Sequence, residues 1–194
     1  MLKRILLLAA ACVTAALLPA KDILVNTPKT TLLLKADRGQ PLHISYYGER
    51  IDNAGQVYSA GSLWYEAYPA FGTCGTDVPA LSVRHADGNM TTELEYVSDT
   101  AVAEANATLY TITMKDKVYD FYVDVCYRAY SNADVIEAWT VLRNGEKKPV
   151  VLNKYASGFL PIRPDDVWVH HMPGDRAAEA EETEKKQHTG NFTG

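Results

Sequence analysis

Histidines and aspartates near the carboxyl end of the chain are the side chains most suited to bind a metal ion. The stretch DDVWVHHMPGD places five of them within eleven residues: Asp165, Asp166, His170, His171 and Asp175. Adjacent histidines on a strand point to opposite faces, so His170 and His171 could not share one zinc ion without a bend. No HExxH and no paired CxxC sequence supports a metal site. We therefore interpret this stretch as a strand and a turn, and we predict no metal and no cofactor.

The loop YPAFGTCGTDVPALSV, from Tyr68 to Val83, is a second candidate for chemistry. Its prolines and glycines are too dense for a helix or a regular strand, so the sequence predicts a structured loop that ends at a strand. Two interpretations are open. The loop either only joins two strands, or it presents Asp77 and its neighbours to a ligand.

The sequence contains no motif for nucleophilic catalysis or nucleotide binding. A GxSxG elbow, a GxGxxG loop and a P-loop are all missing, and Cys74 has no histidine beside it in the sequence. The residues alone therefore assign no catalytic residue.

Length and composition indicate one globular domain. The chain has 194 residues, of which 47% are hydrophobic and 22% are charged, which is enough to bury a core. Its formal charge of −5 opposes binding to phosphates, so we expect no nucleic-acid partner. The 12 tyrosines against 4 phenylalanines suit both sheet surfaces and sugar sites, and composition favours the sheet.

Residues 1–20 have the pattern of a secretory signal peptide. The basic MLKR precedes the apolar ILLLAAACVTAALL, which is too short to span a bilayer comfortably, and a small residue follows at Ala20. We predict cleavage after Ala20 and export to the periplasm or the extracellular space, with no membrane contact afterwards. Lipoprotein processing at Cys12 and a retained membrane anchor are the alternatives. Residues 21–194 form the predicted domain, in which pairing of Cys74 with Cys126 stays open because both a disulfide and free thiols fit.

The mature chain alternates with period 2 and shows little helical periodicity, which predicts an all-β fold. Strands are expected in DILVNT, KTTLLLKAD, PLHISYYGERI, TTELEYVSDT, ATLYTITMK and VYDFYVDVCYRAY. In the last of these, alternate residues from Tyr119 to Tyr127 form an unbroken apolar face, as in a half-buried antiparallel strand.

The sequence predicts a hairpin at Asn144-Gly145, because this dipeptide suits a two-residue turn in which both φ angles are positive. The strand before it is apolar on both sides, which indicates a central strand and puts Trp139 in the core. Trp168 is expected on a sheet surface. The Ala- and Glu-rich GDRAAEAEETEKK suits a helix by propensity and an edge strand equally.

Four stretches in order resemble the N-terminal domain of glycoside hydrolase family 36, the α-galactosidases of the melibiase and raffinose-degrading type. They are LHISYYGERI, the loop from Tyr68 to Val83, DVIEAWTVLRNGEKKPVVLNKYASGFLPI and VWVHHMPGDRAAEAEETEKKQHTG. The resemblance spans residues 23–190. It implies a β-supersandwich of two large antiparallel sheets, as in galactose mutarotase, ahead of a (β/α)8 catalytic barrel and a small β domain. It also favours a strand for the Ala- and Glu-rich tail.

The resemblance implies retaining hydrolysis of terminal α-galactosides by two aspartates of that barrel. The chain ends before any barrel, so we carry over no catalytic residue and expect an incomplete chain that is inactive alone. The expected partners are the α-galactoside, the barrel and a neighbouring copy of the protein.

The resemblance also gives the Tyr68 to Val83 loop a role, because in the family it projects toward the barrel mouth of the same or a neighbouring subunit. There a carboxylate can accept hydrogen bonds from sugar hydroxyls. The implied substrate-binding residues are Asp77 and Gly75, with Trp64 and Tyr68 as stacking surfaces. Here the acid is displaced by two positions from the family's Gly-Asp-Phe-Arg and the arginine is missing, so turn capping by Asp77 and core packing of both rings remain alternatives. The other function considered is a stand-alone, exported sugar-binding or envelope β-sandwich.

Overall fold

The protein is described from a computed structural model, which covers residues 20–58, 65–73, 78–161, 167–171 and 182–187. These residues contain one short helix, α1 (Gly55–Tyr58), and twelve strands. The strands are β1 (Lys21–Asn26), β2 (Thr30–Ala36), β3 (His43–Glu49), β4 (Tyr65–Glu66), β5 (Leu81–Arg84), β6 (Leu94–Ala103), β7 (Ala107–Asp116), β8 (Phe121–Tyr130), β9 (Ile136–Asn144), β10 (Val151–Tyr155), β11 (Val167–His171) and β12 (Thr183–Gln187).

All strand pairs between these elements are antiparallel. Two sheets have four strands each, in the orders β1-β2-β3-β4 and β6-β7-β8-β9, and two smaller sheets pair β5 with β10 and β11 with β12. The predicted all-β fold with two larger antiparallel sheets is therefore confirmed.

The main core lies between the two four-stranded sheets and is closed by β5. Strand β8 gives it an unbroken row of side chains that are 5% exposed or less: Phe121, Val123, Val125, Tyr127 and Ala129. Residues of the first sheet, such as Leu34 and Ile44, and of β5, such as Leu81, belong to the same buried cluster. The period-2 alternation of the sequence thus places one side of β8 inside, where burial of apolar surface stabilises the fold.

A second, smaller cluster covers the opposite side of the first sheet. Leu33 of β2 packs there with Ala54 and with Val57 of α1, and Tyr46 of β3 lies against them. The short helix therefore shields a strand that would otherwise expose an apolar side chain.

The predicted hairpin at Asn144-Gly145 is wrong. Strand β10 pairs with β5, with Val151 opposite Arg84, so the chain leaves one sheet after β9 and enters another. Positive φ angles occur at Gly39, Gly72 and Gly88, and Gly145 does not adopt one. The Gly145 amide instead donates to the Asp120 carbonyl at 2.7 Å, which extends the ladder between β8 and β9.

The central position predicted for β9 is also wrong in the described part of the chain, where β9 is an edge strand of its sheet. Trp139 lies opposite Cys126 on the outer side of that sheet and is half-buried, so its assignment to the core is corrected. The apolar residues of β9 on that side face outward because the register of β8 and β9 turns Ile136 and Leu142 toward the core.

The described part of the Ala- and Glu-rich tail is strand β12, which pairs with β11 so that Trp168 lies opposite Lys186. Trp168 is 52% exposed, which confirms its predicted surface position. The strand interpretation of the tail is confirmed for Thr183–Gln187.

Candidate functional site

The Tyr68 to Val83 loop has its two ends fastened together by backbone hydrogen bonds. The Ala80 amide donates to the Pro69 carbonyl at 2.8 Å, and the Phe71 amide donates to the Leu81 carbonyl at 2.8 Å. A parallel bridge between Ala70 and Leu81 continues this pairing. Backbone hydrogen bonds therefore fix the base of the loop. The predicted sugar-binding residues Gly75 and Asp77, and also Trp64, lie outside the described residues.

Gly72 lets the loop lie directly against the segment before β6. Its φ is +102°, and a Cβ atom there would stand 2.8 Å from Cγ2 and 2.9 Å from Cα of Thr91. The Thr92 amide donates to the Phe71 carbonyl at 3.0 Å, which holds the two segments in contact. Only glycine satisfies both the backbone angle and the close approach.

Tyr68 anchors the loop in the core. Its side chain is 2% exposed, and its hydroxyl donates to the Ala156 carbonyl at 2.7 Å. The Thr140 hydroxyl donates to the same carbonyl at 2.9 Å. Burial raises the pKa of Tyr68 by more than its hydrogen bonds to Thr140 and Ala156 lower it. The structure thus favours core packing of Tyr68, and sugar contact stays a prediction for Trp64, Gly75 and Asp77.

A buried histidine lies behind the loop base. The side chain of His85 has no exposed surface, and its Nε2 lies 3.0 Å from Oγ1 of Thr92, the residue that binds the loop. Its Nδ1 lies 2.8 Å from Oε1 of Glu146. The imidazole stacks on the Tyr119 ring with 3.7 Å between centroids and 8° between planes. Both ring nitrogens therefore have a hydrogen-bond partner, which fixes the orientation of the ring and satisfies its polar atoms.

Glu146 connects this histidine to the crossover between β9 and β10. Its second oxygen, Oε2, accepts from the Ala86 amide at 3.1 Å, so the carboxylate bridges His85 and its neighbour. The preceding residue, Gly145, packs closely against Asp120, because a Cβ atom on it would lie 2.4 Å from the Asp120 Oδ2 atom. We call His85, Thr92, Tyr119 and Glu146 the buried polar cluster.

No local pattern in the sequence predicts the buried polar cluster. His85 follows a buried strand and is separated from Glu146 by 61 residues, so no local pattern joins the two. The sequence shows only a histidine next to the last residue of β5, Arg84. Its role is structural, because the Thr92 hydroxyl at Nε2 and the imidazole itself are both buried away from any substrate.

The predicted histidine and aspartate stretch is described only in part. His170 Nδ1 lies 2.7 Å from Oε1 of Glu182, and both side chains are more than half exposed. Within the described ranges, no three histidine, cysteine or acidic side chains form a metal-binding group. Cys126 carries a free thiol. No helix in the described part of the chain is both long and apolar enough to cross a membrane.

Comparison with known proteins identifies the class of this domain. The family model described as the glycosyl hydrolase family 36 N-terminal domain matches residues 40–193. The chain therefore belongs to this family, and the resemblance seen in the four sequence stretches is confirmed. A search of curated proteins found no match.

Solved structures of the family share the fold. The family 36 α-galactosidase AgaA of Geobacillus stearothermophilus superposes with a TM-score of 0.74 at 18% identity, covering 86% of this chain and 28% of that one. The α-galactosidase of Lactobacillus brevis gives a TM-score of 0.68 at 19% identity, covering 86% and 27%. An AgaA variant in complex with raffinose gives 0.72 at 20% identity, again covering 86% and 28%. This chain thus spans little more than a quarter of the length of these structures.

Replacing Gly72 by alanine should destabilise the domain more than the same change at Gly88. Both glycines have positive φ, but a Cβ atom at Gly88 meets nothing within 4 Å. We expect about 1 kcal/mol lost in the free energy of unfolding at Gly88 from backbone strain, and about 2 to 4 kcal/mol at Gly72, where overpacking adds to it. Urea denaturation measures both. Equal losses would contradict the tight contact between Gly72 and Thr91.

The buried pair of His85 and Glu146 has an exposed counterpart in His170 and Glu182, which serves as a matched control. We expect Glu146→Ala to lower the free energy of unfolding by about 2 to 4 kcal/mol, because it leaves a buried imidazole and the Ala86 amide without their acceptor. Glu182→Ala should leave it unchanged, since exposed pairs contribute little. Thermal denaturation of both variants compares their stabilities. Similar melting temperatures would refute a structural role for the buried polar cluster.

Proposed function

We propose that this chain is the N-terminal accessory domain of an exported α-galactosidase-type glycoside hydrolase. It supports a catalytic (β/α)8 barrel, and its Tyr68 to Val83 loop contributes to sugar recognition or to contact with a second subunit. The observation that carries the proposal is the family match over residues 40–193, together with the shared fold of α-galactosidases that are more than three times as long.

Three acidic side chains of low exposure, Asp116, Glu146 and Asp124, support an accessory role. Retaining hydrolysis needs two carboxylates roughly 5 Å apart on either side of the sugar. Asp116, which is 2% exposed, instead accepts hydrogen bonds from the backbone amides of Glu93, Val118 and Tyr119 at 2.7 to 2.8 Å. Glu146 is bound to His85, and Asp124 to Arg143. These acids are occupied in holding loops and strands.

Exposed apolar side chains on and after β10 offer a surface for the barrel. Leu152 and Tyr155, which the register with β5 places on one side of β10, are 42% and 67% exposed, and Leu160 farther along the chain is 43% exposed. An apolar patch of this kind marks an interaction surface. In the proposed enzyme the barrel covers it, and in the isolated domain it promotes self-association.

The position of the first strand is compatible with the predicted signal-peptide cleavage. Strand β1 begins at Lys21, directly after the predicted cleavage site, and the Lys21 ammonium binds the Asp99 carboxylate at 2.6 Å. Cleavage after Ala20 would leave this first strand and its ion pair whole.

The 194-residue chain alone should not hydrolyse a chromogenic α-galactoside, because the proposal places the catalytic pair of carboxylates in the barrel. The assay compares the purified chain with its Asp77→Ala variant and with a mock purification. We expect all three to give the same background rate. Turnover by the chain above the mock preparation would overturn the accessory role.

The genomic sequence that follows codon 194 tests the same proposal without expression. We expect an in-frame continuation that encodes a (β/α)8 barrel. A stop codon followed by an unrelated gene would contradict the proposal and favour a stand-alone sandwich protein.

The mature protein should begin at Lys21 or within a few residues of it. Intact-mass measurement of protein recovered from the exported fraction checks this. A lipid-modified amino terminus at Cys12 would replace the export proposal with lipoprotein anchoring, and an uncleaved chain would refute both.

A further inference from the structure

The sequence contains three Asn-X-Thr motifs, which are acceptors for N-linked glycosylation in exported chains when they lie on the surface. They begin at Asn89, Asn106 and Asn191. The first two also share an acid two residues before the asparagine, in DGNMT and EANAT, so their local sequences are closely matched. Asn191 lies outside the described residues. The structure distinguishes the other two, because their side chains have different surroundings.

The Asn89 side chain contacts the buried polar cluster. Its Nδ2 donates to the Tyr119 hydroxyl at 2.9 Å, and its Oδ1 accepts from the Thr91 amide at 3.1 Å. Its carbonyl accepts from the His85 amide at 2.8 Å, so the backbone is fixed as well. The Tyr119 hydroxyl in turn donates to the Asp87 carboxylate at 2.9 Å. A reaction at Nδ2 of Asn89 must therefore first break its contact with Tyr119.

Asn106 lies in the turn between β6 and β7 and is exposed. The Glu104 amide closes this turn by donating to the Ala107 carbonyl at 2.8 Å, and the Ser131 amide donates to the Asn106 carbonyl at 2.8 Å. Both bonds use the backbone of the turn. Within the described ranges, the Asn106 side chain has no hydrogen-bond partner, so its Nδ2 can react without the loss of a contact.

Thr108 supplies the hydroxyl that the motif requires two residues after the asparagine. It is the second residue of β7, is half-buried, and lies opposite Ala103, the last residue of β6. Its other neighbour is Ala129 of β8. The ends of elements open at a much lower free energy than the core. Separation of the end of β6 therefore presents Asn106 and Thr108 to an enzyme while β7 and β8 stay paired.

The turn lies at the far end of the β6–β9 sheet from the Tyr68 to Val83 loop. Strand β6 begins at Leu94, close to the loop base, and ends at Ala103, which corresponds to about 30 Å along the strand. A bulky, hydrated group at Asn106 therefore leaves the loop uncovered, which is compatible with the role proposed for that loop.

We propose that Asn106 is a site of N-linked glycosylation in the exported protein. The reaction needs an oligosaccharide joined to a polyprenyl diphosphate and an oligosaccharyltransferase. Nδ2 of Asn106 attacks the anomeric carbon, a C–N bond forms, and the C–O bond to the diphosphate breaks. Polyprenyl diphosphate leaves and the amide releases one proton, so nothing is oxidised or reduced. Because the donor lipid and the enzyme belong to an export pathway, the proposal rests on the proposed export.

The test uses the folded 194-residue chain, a purified oligosaccharyltransferase and its lipid-linked oligosaccharide. Synthetic peptides of residues 85–93 and 102–110 measure how well each motif is accepted outside the fold, and we expect both to be modified. In the folded chain, and relative to its peptide, Asn106 should react about tenfold faster than Asn89, because release of the Asn89 side chain breaks two hydrogen bonds. Mass spectrometry of proteolytic fragments measures the glycan at each asparagine.

Matched variants identify the reacting atom and the recognised hydroxyl. Asn106→Gln and Thr108→Val should each abolish modification in the β6–β7 turn. Thr108→Ser keeps the hydroxyl and should still be modified. Asn89→Gln should leave the rate at Asn106 unchanged. Melting curves establish that each variant is folded.

The proposal fails if the folded chain is not modified at Asn106, whether or not the peptide of residues 102–110 is accepted. It also fails if Asn89 reacts as fast as Asn106 in the folded chain, since the surroundings of the two side chains would then not select the site. Failure of export has a separate readout. It leaves the signal peptide uncleaved and does not change the reaction of the purified chain.

Discussion

Burial of one side of β8 is the interaction on which the rest of the structure depends. Phe121 to Ala129 place every second side chain between the two four-stranded sheets, and each of these is at most 5% exposed. A strand of this length buried on one side contributes apolar surface to both sheets at once. The same strand pairs with β7 and β9, so its position also sets the register of its own sheet.

The buried polar cluster connects β8 to the Tyr68 to Val83 loop. Tyr119, just before β8, stacks on His85, and His85 contacts both Thr92 beneath the loop and Glu146 in the crossover to β10. Tyr68 ties the loop to the segment after β10 through the Ala156 carbonyl. The loop base is therefore held from several directions by a rigid scaffold. For an accessory domain, such a base would keep the loop in a constant position relative to a docked barrel.

Local patterns predicted the strands well and their partners less well. The alternation from Phe121 to Tyr127 gave the buried side of β8, because that signal depends on period alone. The hairpin predicted from the Asn144-Gly145 dipeptide does not form. The Gly145 amide instead continues the ladder to Asp120, and the chain then crosses to pair with β5. The core position predicted for Trp139 is wrong because a strand that is apolar on both sides lies here at a sheet edge. The contact of His85 with Glu146 joins residues far apart in sequence, which no local pattern encodes. The function proposed for the loop comes from the family resemblance and stays a prediction, because the residues themselves leave it open.

Amide hydrogen exchange, followed residue by residue on the intact chain, tests most directly whether one core joins the sheets through β8. If it does, the amides of β2 in one sheet and of β8 in the other exchange only through global unfolding and report the same free energy. Val123→Ala, which leaves a cavity in β8, then lowers both values equally. Exchange of the β1–β4 sheet at a separate, lower free energy that is insensitive to Val123→Ala would contradict this account.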